Sequence, residues 1–195
     1  MMIAAIKNVL SETIHDPSKH DWSLQGFGMF RLYISKEVRL HVWDMRFAWN
    51  TTTIHTHPWN FQSKILSGVI IDRTFVELDN GWGPHEKYYP YQKQQIICGP
   101  GGGKDGTPVS VKLGIYQTNV FKQDDSYIRK ANDIHESIAK PGTVTLVTRK
   151  FLEDTEHAYV YYPYDQDWKS AEPRRATDTE VISMASLALE KWDEL

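Results

Sequence analysis

Two histidines one residue apart, His55 and His57, lie in the stretch TTTIHTHPWNFQSKILSG at residues 51–68. Neutral imidazole is the commonest transition-metal ligand in proteins, and two imidazoles on one face of a chain form a chelating pair. Residues i and i+2 of a β-strand share a face, so a strand here would bring both side chains together. Pro58 cannot donate to a ladder, which predicts that the strand ends or bulges there, so that the imidazoles lie near a barrel mouth or rim. The spacing therefore predicts one arm of a metal site.

A metal site needs a third ligand from another part of the chain, and His135 is the best candidate. It lies in ANDIHESIAKPGTVTLVTR, a strand-like stretch followed by the turn Lys140-Pro141-Gly142 and a further β-rich run. The alternative is that the three histidines form a hydrogen-bonded polar pocket without a metal.

The elements that must position these histidines begin and end with a helix. Apolar residues at three- and four-residue steps (Ile3, Ile6, Leu10 and Ile14) predict an N-terminal helix over residues 1–16. A C-terminal helix over 177–193 is predicted from a cap at Thr177 or Thr179 and the stripe Val181, Met184, Leu187 or Leu189, and Trp192. This stripe is expected to pack on the sheet or on a second subunit.

Between the helices, the period of the hydrophobic pattern is two, which predicts a β core over residues 28–163. Two strands around a short turn are expected in RLYISKEVRLHVWD. The other strand candidates are 53–57, 64–77, 86–91, 94–98, 109–121, 125–130, 134–139, 143–149 and 157–162. Many short strands with terminal helices predict an all-β (mainly β) fold in one domain over residues 1–195.

Composition excludes several classes of function. The formal net charge is −3 and the sequence pI is about 6.2, without a basic stripe, so neither a nucleic-acid partner nor a membrane surface is expected. The N-terminus lacks the pattern of a secretory signal, and no apolar run is long enough to cross a bilayer. Cys98 is the only cysteine, so there is no intrachain disulfide and a cytoplasmic location is expected.

The histidine spacing resembles the cupin superfamily, whose motifs are G-x5-H-x-H-x3,4-E-x6-G and G-x5-P-x-G-x2-H-x3-N. His55, His57 and Gly68 match the first motif with a final spacing that differs by one residue, and His135 matches the histidine of the second. The resemblance covers roughly residues 28 to 150. It implies a double-stranded β-helix (a jelly-roll barrel) and a homodimer.

The sequence also departs from both cupin motifs. Gln62 occupies the glutamate position of the first motif, whose leading glycine is missing. In the second motif, the P-x-G positions hold residues 130–132 (Lys, Ala and Asn), and Ala139 stands for the closing asparagine. Gln62 is therefore a fourth ligand, a residue that orients a histidine, or an outward-facing polar residue.

A site of three neutral imidazoles leaves a divalent ion with its full charge, which favours an anionic substrate. Within the cupins, this ligand pattern resembles the iron(II) thiol dioxygenases and carbon–carbon-cleaving dioxygenases. The resemblance implies iron(II), with zinc, nickel or manganese as alternatives, and a dioxygenase acting on a small anionic molecule. The alternatives are a metal-dependent isomerase or hydrolase, and a non-catalytic metal-binding, ligand-binding or structural cupin.

Several side chains are candidates for binding a small-molecule substrate. Lys64 shares a strand face with Gln62, and guanidinium groups clamp carboxylates bidentately, so lysine and arginine are both suitable. Tyrosine can donate a hydrogen bond to a substrate, although in strands it usually serves packing. The candidates are Lys64, Arg149, Arg129, Arg73, Tyr116 and Tyr127, with His41, on a strand between Leu40 and Val42, as a further residue that could face the cavity.

The glycine-rich loop GPGGGKDGTP at residues 99–108 contains a G-x-G-x-x-G match. It precedes a strand-like run, whereas a dinucleotide-binding fingerprint opens a helix, so we expect no dinucleotide there. A lid over the barrel mouth is the preferred interpretation of this loop. Cys98 beside it is expected to be a buried structural thiol.

Overall fold

The computed structural model describes residues 2–49, 54–78, 89–97, 103–151, 157–166 and 173–194. Its two α-helices are α1, Met2–His15, and α2, Asp178–Asp193. The strands are β1 Ser23–Gln25, β2 Met29–Tyr33, β3 Val38–Trp43, β4 Trp59–Ser67, β5 Val69–Glu77, β6 Tyr89–Ile97, β7 Lys104–Lys122, β8 Ser126–Arg129, β9 Ile134–Ala139, β10 Val144–Phe151, β11 His157–Pro163 and β12 Arg174–Arg175. Short 3-10 turns cover Pro17–Lys19 and Met45–Phe47. The fold is therefore mainly β, as predicted.

The larger antiparallel sheet has the strand order β12-β1-β2-β3-β10-β4-β8 within the described residues. One of its faces packs against both helices through a cluster of buried apolar side chains that includes Leu40, Val42, Leu10 and Met184. Because side chains alternate along a strand, the residues between those apolar positions face the other way. Arg39 and His41 lie on this second face, which looks toward the smaller sheet.

The smaller antiparallel sheet has the order β11-β6-β7-β5-β9, again counting only described strands. Its two outer strands are joined by the short extended segment 54–57, which we call the closing segment. His55 exchanges two backbone hydrogen bonds with His135 of β9, at 2.9 and 3.0 Å. On the other side, Thr56 donates to Tyr159, and Tyr161 of β11 donates to Ile54, both at 2.9 Å. The smaller sheet therefore curls until its edges meet across this segment.

Both predicted helices are observed, because each has one strong apolar stripe. Helix α2 begins after Thr177, whose side chain accepts from the Glu180 backbone while the Glu180 side chain accepts from the Thr177 backbone. This reciprocal capping box satisfies two amide groups that have no partner within the helix. Of the two residues that the sequence offered as caps, the structure selects Thr177.

The strand predicted over 64–77 is two strands, β4 and β5, which separate at Gly68. Gly68 has φ +86°, and a Cβ atom there would lie 2.8 Å from Thr143 Cα. Only glycine combines this left-handed conformation with such close backbone contact. The chain thus turns at Gly68 from the larger sheet into the smaller one.

Other strand predictions differ from the structure in their boundaries. The candidates 86–91 and 94–98 merge into one strand, β6, over their described part, and 109–121 extends to the nineteen residues of β7. In the described part of the candidate 53–57, residues 54–57, the structure has an isolated bridge at His55 and not a full strand. Cys98 and residues 99–102 of the glycine-rich loop lie outside the described residues, and residues 104–108 belong to β7. No helix in the described ranges has the length and apolar character needed to span a membrane.

Candidate metal centre

The three histidines predicted as metal ligands lie together between the two sheets. His55 and His57 are on the closing segment, and His135 is on β9 directly opposite His55. Ile54 and Thr56 alternate with the histidines along the segment and are buried on its other side. The two-residue spacing therefore has the predicted effect, although a single bridge and not a long strand produces it.

The ring nitrogens of these histidines are close enough to share one ion. His55 Nε2 and His57 Nε2 are 3.1 Å apart, and one ligand atom from each of the three residues lies within 4.8 Å of the others. Metal–imidazole bonds are about 2.1 Å long, so two ligands in neighbouring coordination positions at a right angle lie about 3 Å apart. The pair at the closing segment has this separation, and His135 supplies a third direction.

Asp72 of β5 orients the His135 ring. Its side chain is completely buried, and its Oδ1 atom lies 3.2 Å from His135 Nδ1. Arg129 makes a close ion pair with the same carboxylate, and Ser137 Oγ donates to it at 3.4 Å. A carboxylate that accepts from one imidazole nitrogen fixes the tautomer in which the other nitrogen has the free lone pair. That other nitrogen, His135 Nε2, is buried without a hydrogen-bond partner in the described structure.

Burial keeps two of the clustered histidines, His57 and His135, in the neutral form that binds metals. It holds the pKa of His57 well below the ordinary value, with smaller contributions from His55 and His135. The pKa of His135 is lowered in the same direction, first by burial and then by His55 and Arg129. Both imidazoles are therefore neutral at pH 7, and their lone pairs are available without loss of a proton.

Aromatic rings enclose the histidine cluster. The rings of Phe27 and His55 stack at 5.9 Å between centroids, and those of Trp59 and His57 stack at 5.2 Å. Phe61 meets His57 edge-on at 5.2 Å and lies 5.6 Å from His135. The aromatic residues flanking HTHP thus form the wall of the site, where they limit access of water to the three imidazoles.

Of the proposed substrate-binding residues, Arg149 lies on the same face of the larger sheet as Phe61, opposite it in the β10–β4 register. Its guanidinium carbon is 5.0 Å from the ring centre of Trp59. Arg129 is committed to Asp72, and Tyr127 is buried against Phe61 and Phe121. These residues surround the histidine cluster, in contrast to the remaining candidates.

Four candidates lie elsewhere. Gln62 is exposed on the opposite face of β4 from Phe61, so it does not join the cluster. Lys64 shares the face of Gln62 and pairs with Leu146, which packs against the helix-side core. Tyr116 is 74% exposed on β7, and Arg73 pairs with Glu136 on the smaller sheet. The strand alternation that puts Phe61 against the histidines necessarily turns Gln62 and Lys64 away.

Sequence reasoning missed Asp72, Arg31 and Arg39, and it left His41 open. A signal for Asp72 was present, because an aspartate inside the apolar run VIIDRTFVE must be buried with a partner. Arg31, Arg39 and His41 alternate with leucines in RLY and VRLHV, which places them on one face of adjacent strands. The sequence does not reveal that this polar face is also interior.

These pKa shifts predict that the metal-free protein loses stability in mild acid. The pKa values of His41, His57 and His135 are all held well below the ordinary value, mainly by burial. Below pH 6.5, the unfolded chain therefore takes up protons that the folded chain does not, so stability falls as the pH falls. Three such groups lower the free energy of unfolding by up to about 4 kcal/mol as the pH falls from 7.5 to 5.5. Above pH 7.5 they make the free energy of unfolding almost independent of pH.

Urea unfolding at several pH values, with a chelator present, measures this loss. His41→Gln should reduce it by roughly a third, whereas His157→Gln, at an exposed position, serves as the matched control. A pH profile unchanged by His41→Gln would contradict the assignment of His41 as a buried neutral group.

No protein family matches the sequence, and no curated protein matches it either.

Proposed function

We propose that the protein is a metal-binding cupin that holds one divalent ion on His55, His57 and His135, and that it acts as a mononuclear non-haem iron dioxygenase on a small anionic molecule. The observation that carries the proposal is the convergence of three imidazoles around a buried His135 Nε2 that lacks a hydrogen-bond partner. A buried polar atom without a partner costs free energy, and a metal ion would remove that cost.

The arrangement of the sheets supports the cupin interpretation. Two antiparallel sheets face each other, and the chain passes between them at Gly68, the final glycine of the first motif. His55 of the first motif bridges directly to His135 of the second through two backbone hydrogen bonds. Both motif segments thus meet at one point between the sheets, as a double-stranded β-helix requires.

The donor set suits a redox ion with open coordination positions. Three neutral imidazoles supply no negative charge, and the described residues offer no carboxylate in the same ligand group. An iron(II) ion held there would supply electron transfer between dioxygen and a coordinated substrate. The chain's own contribution is to fix the ligands through Asp72 and the closing segment, and to limit water through Phe27, Trp59 and Phe61.

Arginine side chains near Trp59 support an anionic substrate. Arg39 and Arg149 both lie against the Trp59 ring, which also stacks on the His57 imidazole. A substrate carrying negative charge would be attracted to this side of the site, where its charge would also balance that of the ion. The chain thereby orients the substrate with its anionic part toward the arginines.

Elemental analysis of protein purified without added metal tests the proposal. We expect about one iron ion per chain, and oxygen consumption that begins only when a suitable thiol or diketone is added. Zinc at the same stoichiometry without oxygen consumption would replace the dioxygenase with the Lewis-acid isomerase or hydrolase. Absence of binding after anaerobic incubation with iron(II), zinc, nickel and manganese would overturn the metal site itself.

A further inference from the structure

Three arginines gather around one tyrosine on the inner face of the larger sheet. They are Arg31 of β2, Arg39 of β3 and Arg149 of β10, which we call the arginine cluster. Their guanidinium carbons lie 5.0, 4.7 and 5.7 Å from the ring centre of Tyr33. Arg39 also donates to the Tyr33 hydroxyl at 2.9 Å, and Arg149 donates to the Lys36 carbonyl at 2.6 Å.

Two members of the arginine cluster have no acidic partner among the described residues. Neither Arg31 nor Arg39 forms an ion pair there, and the Nε atoms of both are buried without a hydrogen-bond partner. Arg39 is only 9% exposed. Burial, followed by the charges of Arg31 and Arg149, lowers the pKa of Arg39 to about 9, which still leaves it protonated at pH 7. Buried like charges of this kind oppose folding unless something compensates them.

His41 adds another unused polar atom to the same place. It lies beside Arg31 in the β2–β3 register, is 8% exposed, and its Nε2 atom has no hydrogen-bond partner in the described structure. The arginine cluster and His41 together place cationic donors and a neutral imidazole in one region, where Arg39, Arg149 and His41 are buried and Arg31 is half-buried. Polar groups arranged in this way indicate a binding site for a ligand that accepts hydrogen bonds.

The position of the arginine cluster relates it to the metal centre. The Trp59 ring stacks against the His57 imidazole. The guanidinium carbons of Arg39 and Arg149 lie 5.4 and 5.0 Å from the centre of the same Trp59 ring. Tyr33, at the end of β2, is about half exposed, so the cluster is reached from solvent on that side. A molecule entering past Tyr33 would meet the arginines first and the histidines beyond Trp59.

We propose that the arginine cluster binds the phosphate group of a small phosphorylated molecule, and that the metal site acts on molecules of this class. The second part of this proposal rests on the proposed function. A phosphate monoester carries a charge of about −1.5 to −2 at pH 7 and three acceptor oxygens. These match several converging guanidinium groups, whereas a single carboxylate is satisfied by one bidentate arginine. The phosphate balances the charges of Arg31 and Arg39 and accepts from their free N–H groups.

Calorimetric titration of the chelator-treated protein with phenyl phosphate tests this proposal without the metal. Benzoate, at the same ionic strength, is the comparison ligand with the same ring and one negative charge. We expect phenyl phosphate to bind, and Arg39→Gln to weaken it about 10- to 100-fold, because a charge-assisted hydrogen bond is lost. Arg175→Gln, at a strongly exposed arginine, is the matched control and should leave the affinity unchanged.

Thermal unfolding separates a binding role from a packing role. Without ligand at low salt, Arg39→Gln should melt no lower than the wild type, because it relieves repulsion with Arg31 and Arg149. Phosphate should raise the melting temperature of the wild type more than that of Arg39→Gln. A variant that melts lower, together with a wild type that phosphate does not stabilise, would make the cluster structural and overturn the proposal.

The other outcomes are equally decisive. Tighter binding of benzoate than of phenyl phosphate would overturn the phosphate assignment. Because these measurements use metal-free protein, phosphate binding stands even if the metal site fails. Conversely, the wild type could fail to bind phosphate while Arg39→Gln still binds metal. That result would overturn the phosphate site and leave the proposed metal site standing.

Discussion

Replacing His135 with alanine is expected to lower the affinity for a divalent metal by more than about 100-fold. Loss of a residue that merely orients a ligand typically costs 10- to 100-fold, and His135 is itself a proposed ligand. The other two histidines would retain only the pair of nitrogens 3.1 Å apart on the closing segment. Titration with zinc or cobalt against a competing chelator measures the change.

His157→Ala is the matched control, because that imidazole is about half exposed and lies outside the cluster. Its metal affinity should equal that of the wild type. Circular dichroism of both variants separates loss of the site from loss of the fold. A folded His135→Ala protein with undiminished metal affinity would exclude His135 as a ligand, and with it the proposed centre.

Asp72→Ala is expected to destabilise the protein by about 3–5 kcal/mol, because it leaves the largely buried guanidinium of Arg129 without its counter-charge. The carboxylate is completely buried and contacts Arg129, His135 and Ser137. The metal affinity of Asp72→Asn should also fall by about 10- to 100-fold, since the amide no longer offers His135 a charged acceptor. Urea unfolding and metal titration measure the two effects.

Asp21→Ala is the control for removal of a carboxylate, since Asp21 is largely exposed and should change stability little. The double variant Asp72→Leu with Arg129→Leu should be more stable than Asp72→Leu alone, because it removes the orphaned charge along with its partner. If Asp72→Ala is as stable as the wild type, the ion pair between Asp72 and Arg129 does not stabilise the fold.

The parts of the structure that sequence predicted best are those governed by local patterns. The helices follow from apolar stripes, and the capping box at Thr177 and Glu180 is visible in the sequence itself. The two-residue spacing of His55 and His57 likewise fixed their common face. These features depend on neighbours within a few residues, which is the range over which hydrophobic periodicity is informative.

What sequence could not supply is the identity of the face that each strand buries. Gln62 was placed as a candidate ligand from a motif position, yet alternation from the buried Phe61 turns it to solvent. Arg39 and His41 alternate with apolar residues that pack on the helices, so the sequence pattern predicts that the face with Arg39 and His41 is exposed to solvent. Only the approach of the second sheet makes that face interior, and tertiary contacts of this kind leave no local signature.

The closing segment also protects the smaller sheet. Strand edges carry rows of unpaired N–H and C=O groups and are templates for association between molecules. Ile54–His57 occupies part of the edges of both β9 and β11, and it carries two of the three clustered histidines. A change that displaced this segment would therefore uncover two edges at once, and an ion bound as proposed would hold the segment in place and oppose such exposure.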